Sequence, residues 1–189
     1  MKFEVEKKAR LKDPAAAREA LAGLGRFEGE WEKEDRYYLL QPREKGGIDM
    51  REDPIFRIRL EKGRCLLGAK KRSFRGKTEI NEEVEIPAGD PEETLWFFEQ
   101  YLGLVPFVTK HKRTSLFIVD AMHVEINLVE GLGCFLEVEI QKDKLEGEEE
   151  EKDILARIQS VFDRLGIEEG DIEDRTYIEL LMEKDSSRL

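Results

Sequence analysis

The chain has 189 residues, of which 40% are hydrophobic and 40% charged, with a formal net charge of −11. That length predicts one domain with a real core, spanning 1–189, and the charge density suits ion-pair networks on its surface. The acidic balance argues against a general nucleic-acid binder and against docking on an anionic membrane, so an anionic ligand must be met by a local basic cluster.

Lys2 to Leu11 alternates strictly, with Glu4, Glu6, Lys8 and Arg10 on one face and Phe3, Val5, Ala9 and Leu11 on the other. A period of two predicts a strand and does not fit a signal peptide. Asp13-Pro14 starts a helix over Ala15 to Leu24, which Gly25 ends. Phe27 to Leu40 reads as a long strand, and Gln41 to Asp53, with Pro42, Gly46 and Gly47, as a loop. Pro54 to Glu61 and Arg64 to Arg72 form a hairpin around Lys62-Gly63, and Thr78 to Ile86 is a further strand. Asp90-Pro91-Glu92-Glu93 caps a helix that runs to about Leu102.

Four strands follow: Val105 to Lys112, Thr114 to Asp120, Met122 to Val129 and Cys134 to Gln141. The acidic stretch 142–152 is a linker or the solvated first turn of the next helix. Ile154 to Leu165 is helical, with an apolar stripe, and Arg175 to Glu183 forms a last short helix. Cys65 and Cys134 sit in apolar runs without a CxxC partner and read as buried hydrophobes. No apolar run approaches the ~20 residues of a membrane helix; a soluble cytoplasmic protein is the expectation. The fold class is α+β: a closed antiparallel barrel of eight or nine strands with flanking helices.

The strands segregate charge by sign. Glu4 and Glu6 stand on the first and Glu137 and Glu139 on the last; Arg57 with Arg59, Lys70 with Arg72, and Lys112 or Arg113 stand on the middle ones. The simpler reading is an antiparallel sheet with one wet face. Solvated faces usually mix signs, however. A barrel whose polar faces point inward explains the segregation: shielded carboxylates need a hard cation such as Mg²⁺ or Mn²⁺, and the opposing arginines and lysines need a highly charged anion. A metal-chelated triphosphate satisfies both.

Several segments carry a family resemblance in one order: Glu4-Val5-Glu6-Lys7-Lys8, Phe56 to Leu60, Leu67 to Lys71, His111-Lys112-Arg113, Gly131 to Glu139, and the tail Arg175 to Leu181. Together they resemble the CYTH, or triphosphate tunnel, family, and most closely its class IV adenylyl cyclases. The resemblance implies metal ligands at Glu4, Glu6, Glu137 and Glu139. It implies phosphate contacts from Lys8, Arg57, Arg59, Lys70, Lys112, Arg113 and Arg175, with the register of Lys112 and Arg72 left open. Lys8, Asn127 and Glu125 are the candidate catalytic residues. Asn127 stands where the family usually has Asp, which removes a charge and a base; Glu125 shares its face. Tyr37 or Tyr38 could orient Lys8, although a core role is the simpler reading, and His111 and His123 read as structural. The implied reaction converts ATP to cyclic AMP and pyrophosphate. The alternatives are hydrolysis of tripolyphosphate, thiamine triphosphate or a nucleotide, and a non-catalytic polyphosphate or nucleotide binder. The expected partner is thus a triphosphate-containing small molecule, and a homodimer is compatible with the chain.

Overall fold

The computed structural model describes residues 2–40, 55–144 and 147–186. Eight strands close into one antiparallel barrel: β1 (Lys2–Arg10), β2 (Arg26–Leu39), β3 (Ile55–Glu61), β4 (Arg64–Arg75), β5 (Thr78–Pro87), β6 (Val108–Val119), β7 (Met122–Val129) and β8 (Gly133–Lys142). Around the barrel the order is β1-β5-β4-β3-β2-β6-β7-β8, and β1 pairs with both β5 and β8. Among the described residues the two strands expected at Val105 to Lys112 and Thr114 to Asp120 are one, β6, which gives the lower of the two expected strand counts. Lys112 to Thr114 carries no turn residue, so β6 runs straight through Arg113 and alternation continues unbroken beside β2. The expected loop at 41–53 lies outside the described residues.

Among the described residues four α-helices flank the barrel: α1 (Pro14–Leu24), α2 (Pro91–Leu95), α3 (Glu148–Arg164) and α4 (Tyr177–Ser186). Asp13 caps α1 by accepting from the Ala15 and Ala16 amides at 3.1 and 3.0 Å. Gly25 ends α1 because the chain passes too close to β6 for a side chain: a Cβ there would collide with the Ile118 carbonyl. Asp90 caps α2, which continues as one π-helical turn over Trp96–Tyr101 rather than as the expected single α-helix. The second half of the acidic stretch forms the first turns of α3. Thr176 and Glu179 form reciprocal bonds, at 2.6 and 3.2 Å, that start α4.

The barrel is polar inside and apolar outside. Val5, Val124, Leu136, Val138 and Ile140 point outward and pack under Leu21 of α1 and Ile154, Ile158, Val161 and Phe162 of α3. On the opposite side Tyr38, Ile58 and Cys65 pack with Leu95 and Phe98. Each fully buried Leu, Ile or Phe of these layers stabilises the fold by ~1.5–3 kcal/mol. Stability therefore comes from the barrel's outer face, which leaves the inner face to carry charge. No helix among the described residues is long and apolar enough to cross a membrane.

Candidate active site: a tunnel with two charged halves

Inside the barrel lies a cavity of ≈ 260 Å³ whose wall carries eight Lys or Arg side chains and nine carboxylates. They are not mixed. β8, β1 and β5 are neighbours and supply Glu137, Glu139, Glu4, Glu6, Glu79, Glu83 and Glu85. β4, β3, β2 and β6 are also contiguous and supply Lys70, Arg72, Arg57, Arg59, Lys33, Lys110 and Lys112. Lys8 and Glu61 are the exceptions, one on each arc, and β7, between β6 and β8, supplies the ninth carboxylate, Glu125. Thr176, Tyr177 and Ile178 at the start of α4 also line the cavity.

Glu4, Glu6 and Glu139 converge, with one carboxylate oxygen of each lying within 4.8 Å of the other two. Glu6 and Glu139 face each other directly across the β1–β8 pair. Burial, reinforced by Glu137 and Glu79, pushes the Glu6 carboxyl up to about 8. Burial and a hydrogen bond shared with Glu83 push Glu4 up to about 9 against the pull of Lys70, while Glu83 falls to about 2. Two carboxyl groups that resist ionisation even with Lys70 beside them, next to a third oxygen donor, make a site short of positive charge. The donor set is all oxygen and fits a hard divalent cation such as Mg²⁺ or Mn²⁺. Glu137 stands apart: it accepts from Lys112 at 3.2 Å and from Asn127 at 2.6 Å.

The basic half is tied by ion pairs. Asp35 on β2 is fully buried and takes Arg59 at 2.7 and 3.1 Å and Lys110 at 2.9 Å. Burial alone would raise its pKa, but Arg59, Lys110 and Arg57 hold it well below the carboxylate range. Arg57 reaches Glu83 at 3.0 Å and also Glu85, lying across the wall opposite Gly68, where a Cβ would sit 3.3 Å from its guanidinium. Lys70 bonds Glu4 and lies 3.5 Å from Glu83. The Tyr177 ring packs beneath three ammonium groups, Lys8, Lys110 and Lys112, at 4.7, 5.0 and 5.9 Å.

Of the residues expected from the sequence, Glu4, Glu6, Lys8, Arg57, Arg59, Lys70, Lys112, Glu125, Glu137 and Glu139 all line the tunnel. Three expectations are corrected. Arg113 lies on the outer face, paired with Glu32 at 2.9 Å, because inward Lys112 forces its neighbour outward. The Arg175 guanidinium also lies outside, bound by Glu173 and Glu183 at 2.7 and 2.9 Å; only its backbone carbonyl meets the tunnel, accepting from Lys8 at 2.6 Å. Asn127 is on the inward face beside Glu125 but fully buried, its amide committed to accepting from Thr114 at 2.7 Å and donating to Glu125 and Glu137. It positions those carboxylates and does not meet the cavity.

Glu125 is clamped by Lys33 and Lys112 at 2.9 and 3.0 Å; their charges outweigh burial and hold it well below its ordinary pKa, so it is a poor proton acceptor. Tyr37 bonds Lys110 and Asp35, and Tyr38 packs outside with its hydroxyl on Glu99; neither is bonded to Lys8. His111 stands outside near Glu34, whereas His123 reaches the tunnel wall. Lys33, Asp35, Lys110 and the β5 carboxylates were not singled out in the sequence. Alternation on β2, β5 and β6 holds the signal for all of them, once the inward register of each strand is known.

The CYTH domain matches residues 2–177. The chain belongs to the CYTH family. The structure of PH1012 protein from Pyrococcus horikoshii OT3 shares 28% identity with this CYTH chain, covers 94% of it and 98% of its own length, and superposes with a TM-score of 0.74. The same fold recurs, at a TM-score of 0.77 and 20% identity over 95% and 98% of the two chains, in a candidate adenylate cyclase from Vibrio parahaemolyticus. It recurs again in HpAC1 from Hippeastrum, a candidate adenylyl cyclase with a dominant triphosphatase activity, at 0.65 and 16% identity over 96% of each chain. No curated protein matches the sequence.

Proposed function

We propose that the tunnel binds a triphosphate together with Mg²⁺ or Mn²⁺ and cleaves it. The observation that carries this reading is the division of one closed wall into a carboxylate arc and a cationic arc. With Glu4 and Glu6 protonated, the other seven wall carboxylates and the buried Asp35 balance the eight cations, so the tunnel offers an anion no net attraction. A triphosphate alone would have to break the ion pairs of Arg57, Arg59 and Lys70. A triphosphate that arrives with divalent charge meets both arcs at once. Glu4, Glu6 and Glu139 would hold the cation, which supplies charge neutralisation at the phosphates. Arg57 and Arg59 would fork onto phosphate oxygens, and Lys8, Lys70, Lys110 and Lys112 would act as point charges along the chain. Fixing the phosphates in this way supplies most of the catalysis that phosphoryl transfer requires.

Two reactions fit this tunnel, and each has an observation behind it. The cavity, at ≈ 260 Å³ and lined chiefly by charge, is below the ~300–1,000 Å³ of pockets that enclose organic ligands. That favours a site that grips the phosphate chain alone and releases orthophosphate, as a triphosphatase would. Cyclisation of ATP to cyclic AMP and pyrophosphate is favoured by the class IV-like tail, whose Tyr177 lies at the tunnel wall. Purified protein incubated with Mn²⁺ and either ATP, tripolyphosphate or thiamine triphosphate, with products identified by mass, decides between them. Orthophosphate supports the first, cyclic AMP with pyrophosphate the second, and binding without turnover a non-catalytic polyphosphate binder.

A further inference from the structure

Asn81 on β5 is fully buried, yet neither its amide oxygen nor its amide nitrogen has a hydrogen-bond partner. Buried amides are almost always satisfied, and an exception calls for a missing partner. Its place in the barrel narrows what that partner is. Asn81 shares the inward register of β5 with Glu79 and Glu83, two residues of the tunnel wall, and lies opposite Glu4 on β1 and Arg72 on β4. The adjacent Arg72 Nε is also unsatisfied: it lies 3.3 Å from Glu79 in ion-pair contact, without forming a hydrogen bond. One acceptor and two kinds of N–H donor thus stand unused, side by side, next to the Glu4–Glu6–Glu139 cluster.

We propose that Asn81 joins the two halves of the site. Its Oδ1 accepts from a water on the cation held by Glu4, Glu6 and Glu139, and its Nδ2, with Arg72 Nε, donates to an oxygen of the terminal phosphate. This deepens the metal–triphosphate reading and rests on it. The chemistry suits the residue type. A carboxylate here would add to acid repulsion around Glu4, and a cation would compete with the metal, whereas an amide offers both hydrogen-bond senses without charge. The ligand-free protein then carries an unsatisfied amide that only the loaded site satisfies. That is a cost in stability held at a functional position.

The test uses three proteins, the parent, Asn81→Leu and Asn81→Asp, each measured by calorimetry with Mn²⁺ alone and with tripolyphosphate plus Mn²⁺, and by thermal unfolding without ligand. Asn81→Leu keeps the shape and loses both hydrogen-bond senses. It should weaken Mn²⁺ and tripolyphosphate binding by about 10–100-fold, the range for removing a group that supports metal ligands, while the ligand-free protein melts no lower than the parent. Asn81→Asp keeps the acceptor and loses the donor, so Mn²⁺ binding should hold while tripolyphosphate binding falls. Unchanged binding in both variants would mean that a fixed water satisfies the amide, and would overturn the proposal. So would a lower melting temperature of Asn81→Leu with binding intact, which marks a purely structural group. A parent that binds neither probe fails the functional reading itself, and this inference with it.

Discussion

Asp35 and Arg59 are direct partners across β2 and β3, joined by two parallel hydrogen bonds of 2.7 and 3.1 Å with the carboxylate wholly buried. The pair holds the basic half of the tunnel together, since Lys110 and Arg57 share the same carboxylate at 2.9 and 3.9 Å. Asp35→Ala leaves these cations facing one another in a shielded space. It should destabilise the ligand-free protein by about 3–5 kcal/mol, the cost of breaking a buried pair from one side. Tripolyphosphate with Mn²⁺ would supply the missing negative charge, so the ligand-induced rise in melting temperature should be larger in Asp35→Ala than in the parent. An equal rise in both would show that the anion does not reach these cations.

Arg57→Ala and Arg59→Ala should each cost roughly 2–5 kcal/mol in tripolyphosphate binding, the range for truncating one member of a desolvated charge pair. The outer-face arginines provide the contrast. Arg113→Ala and Arg175→Ala should cost under about 1 kcal/mol, as exposed ion pairs do, and Lys142→Ala, paired outside with Glu150, should behave like them. Binding curves at two ionic strengths check this. Equal losses at Arg57 and Arg113 would leave the tunnel no privileged role.

Metal affinity should rise with pH. Burial holds Glu4 and Glu6 protonated up to about 9 and about 8, so a cation must displace their protons at neutral pH. Calorimetry at pH 7 in buffers of different ionisation heat should detect proton release on Mn²⁺ binding, and affinity should climb between pH 6 and pH 9. Glu6→Gln removes one proposed ligand and should abolish turnover with a sharp loss of Mn²⁺ affinity. Removal of the cation with EDTA should abolish tripolyphosphate binding as well. A pH-independent Mn²⁺ affinity would exclude these two carboxyls as ligands.

Glu173 fixes the start of α4 to β1, accepting from Arg10 at 2.7 and 3.0 Å and from Arg175 at 2.7 and 2.8 Å. Burial opposes its charge, but those bonds lower its pKa to about 2. A depressed folded pKa adds stability above the unfolded value of ~4.3 that is lost as pH falls through the folded one. Between about pH 4.3 and pH 2 the protein should therefore lose ~1–2 kcal/mol at this contact, allowing for partly exposed partners. Glu173→Gln should remove that slope; acid unfolding curves of parent and variant that run parallel would rule the contact out.

The barrel and its charged interior were legible because the chain alternates strictly where one face is buried and the other ionised. Glu4 and Glu6, or Arg57 and Arg59, announce their shared face by spacing alone. Arg113 was misread because a run of Lys112 and Arg113 gives no parity until β6 is paired with β2. Asp35 was missed for a related reason: among Glu34, Arg36 and Tyr37 it looks like one more surface charge, and only the pairing with Arg59 reveals its role. Arg175 depends on a helix start whose orientation is set by packing against β1, which spacing does not encode. Asn81 has no sequence signal; it is conspicuous only because its neighbours leave it without partners.

The closure of the barrel through β1 also sets the order in which the protein can mature. Phe3 pairs with Lys142, and Glu6 with Glu139, so the first strand made must wait for the last strand before the ring can shut. Contacts that span so much of the chain form late and slowly. During synthesis at ~5–20 residues per second, β1 spends several seconds without its β8 neighbour. The acidic cluster does not exist on the growing chain, because its third carboxylate has not yet been placed. On the proposed metal reading, a nascent chain therefore cannot trap a divalent ion in a half-built site, and the three carboxylates come together only with the finished ring.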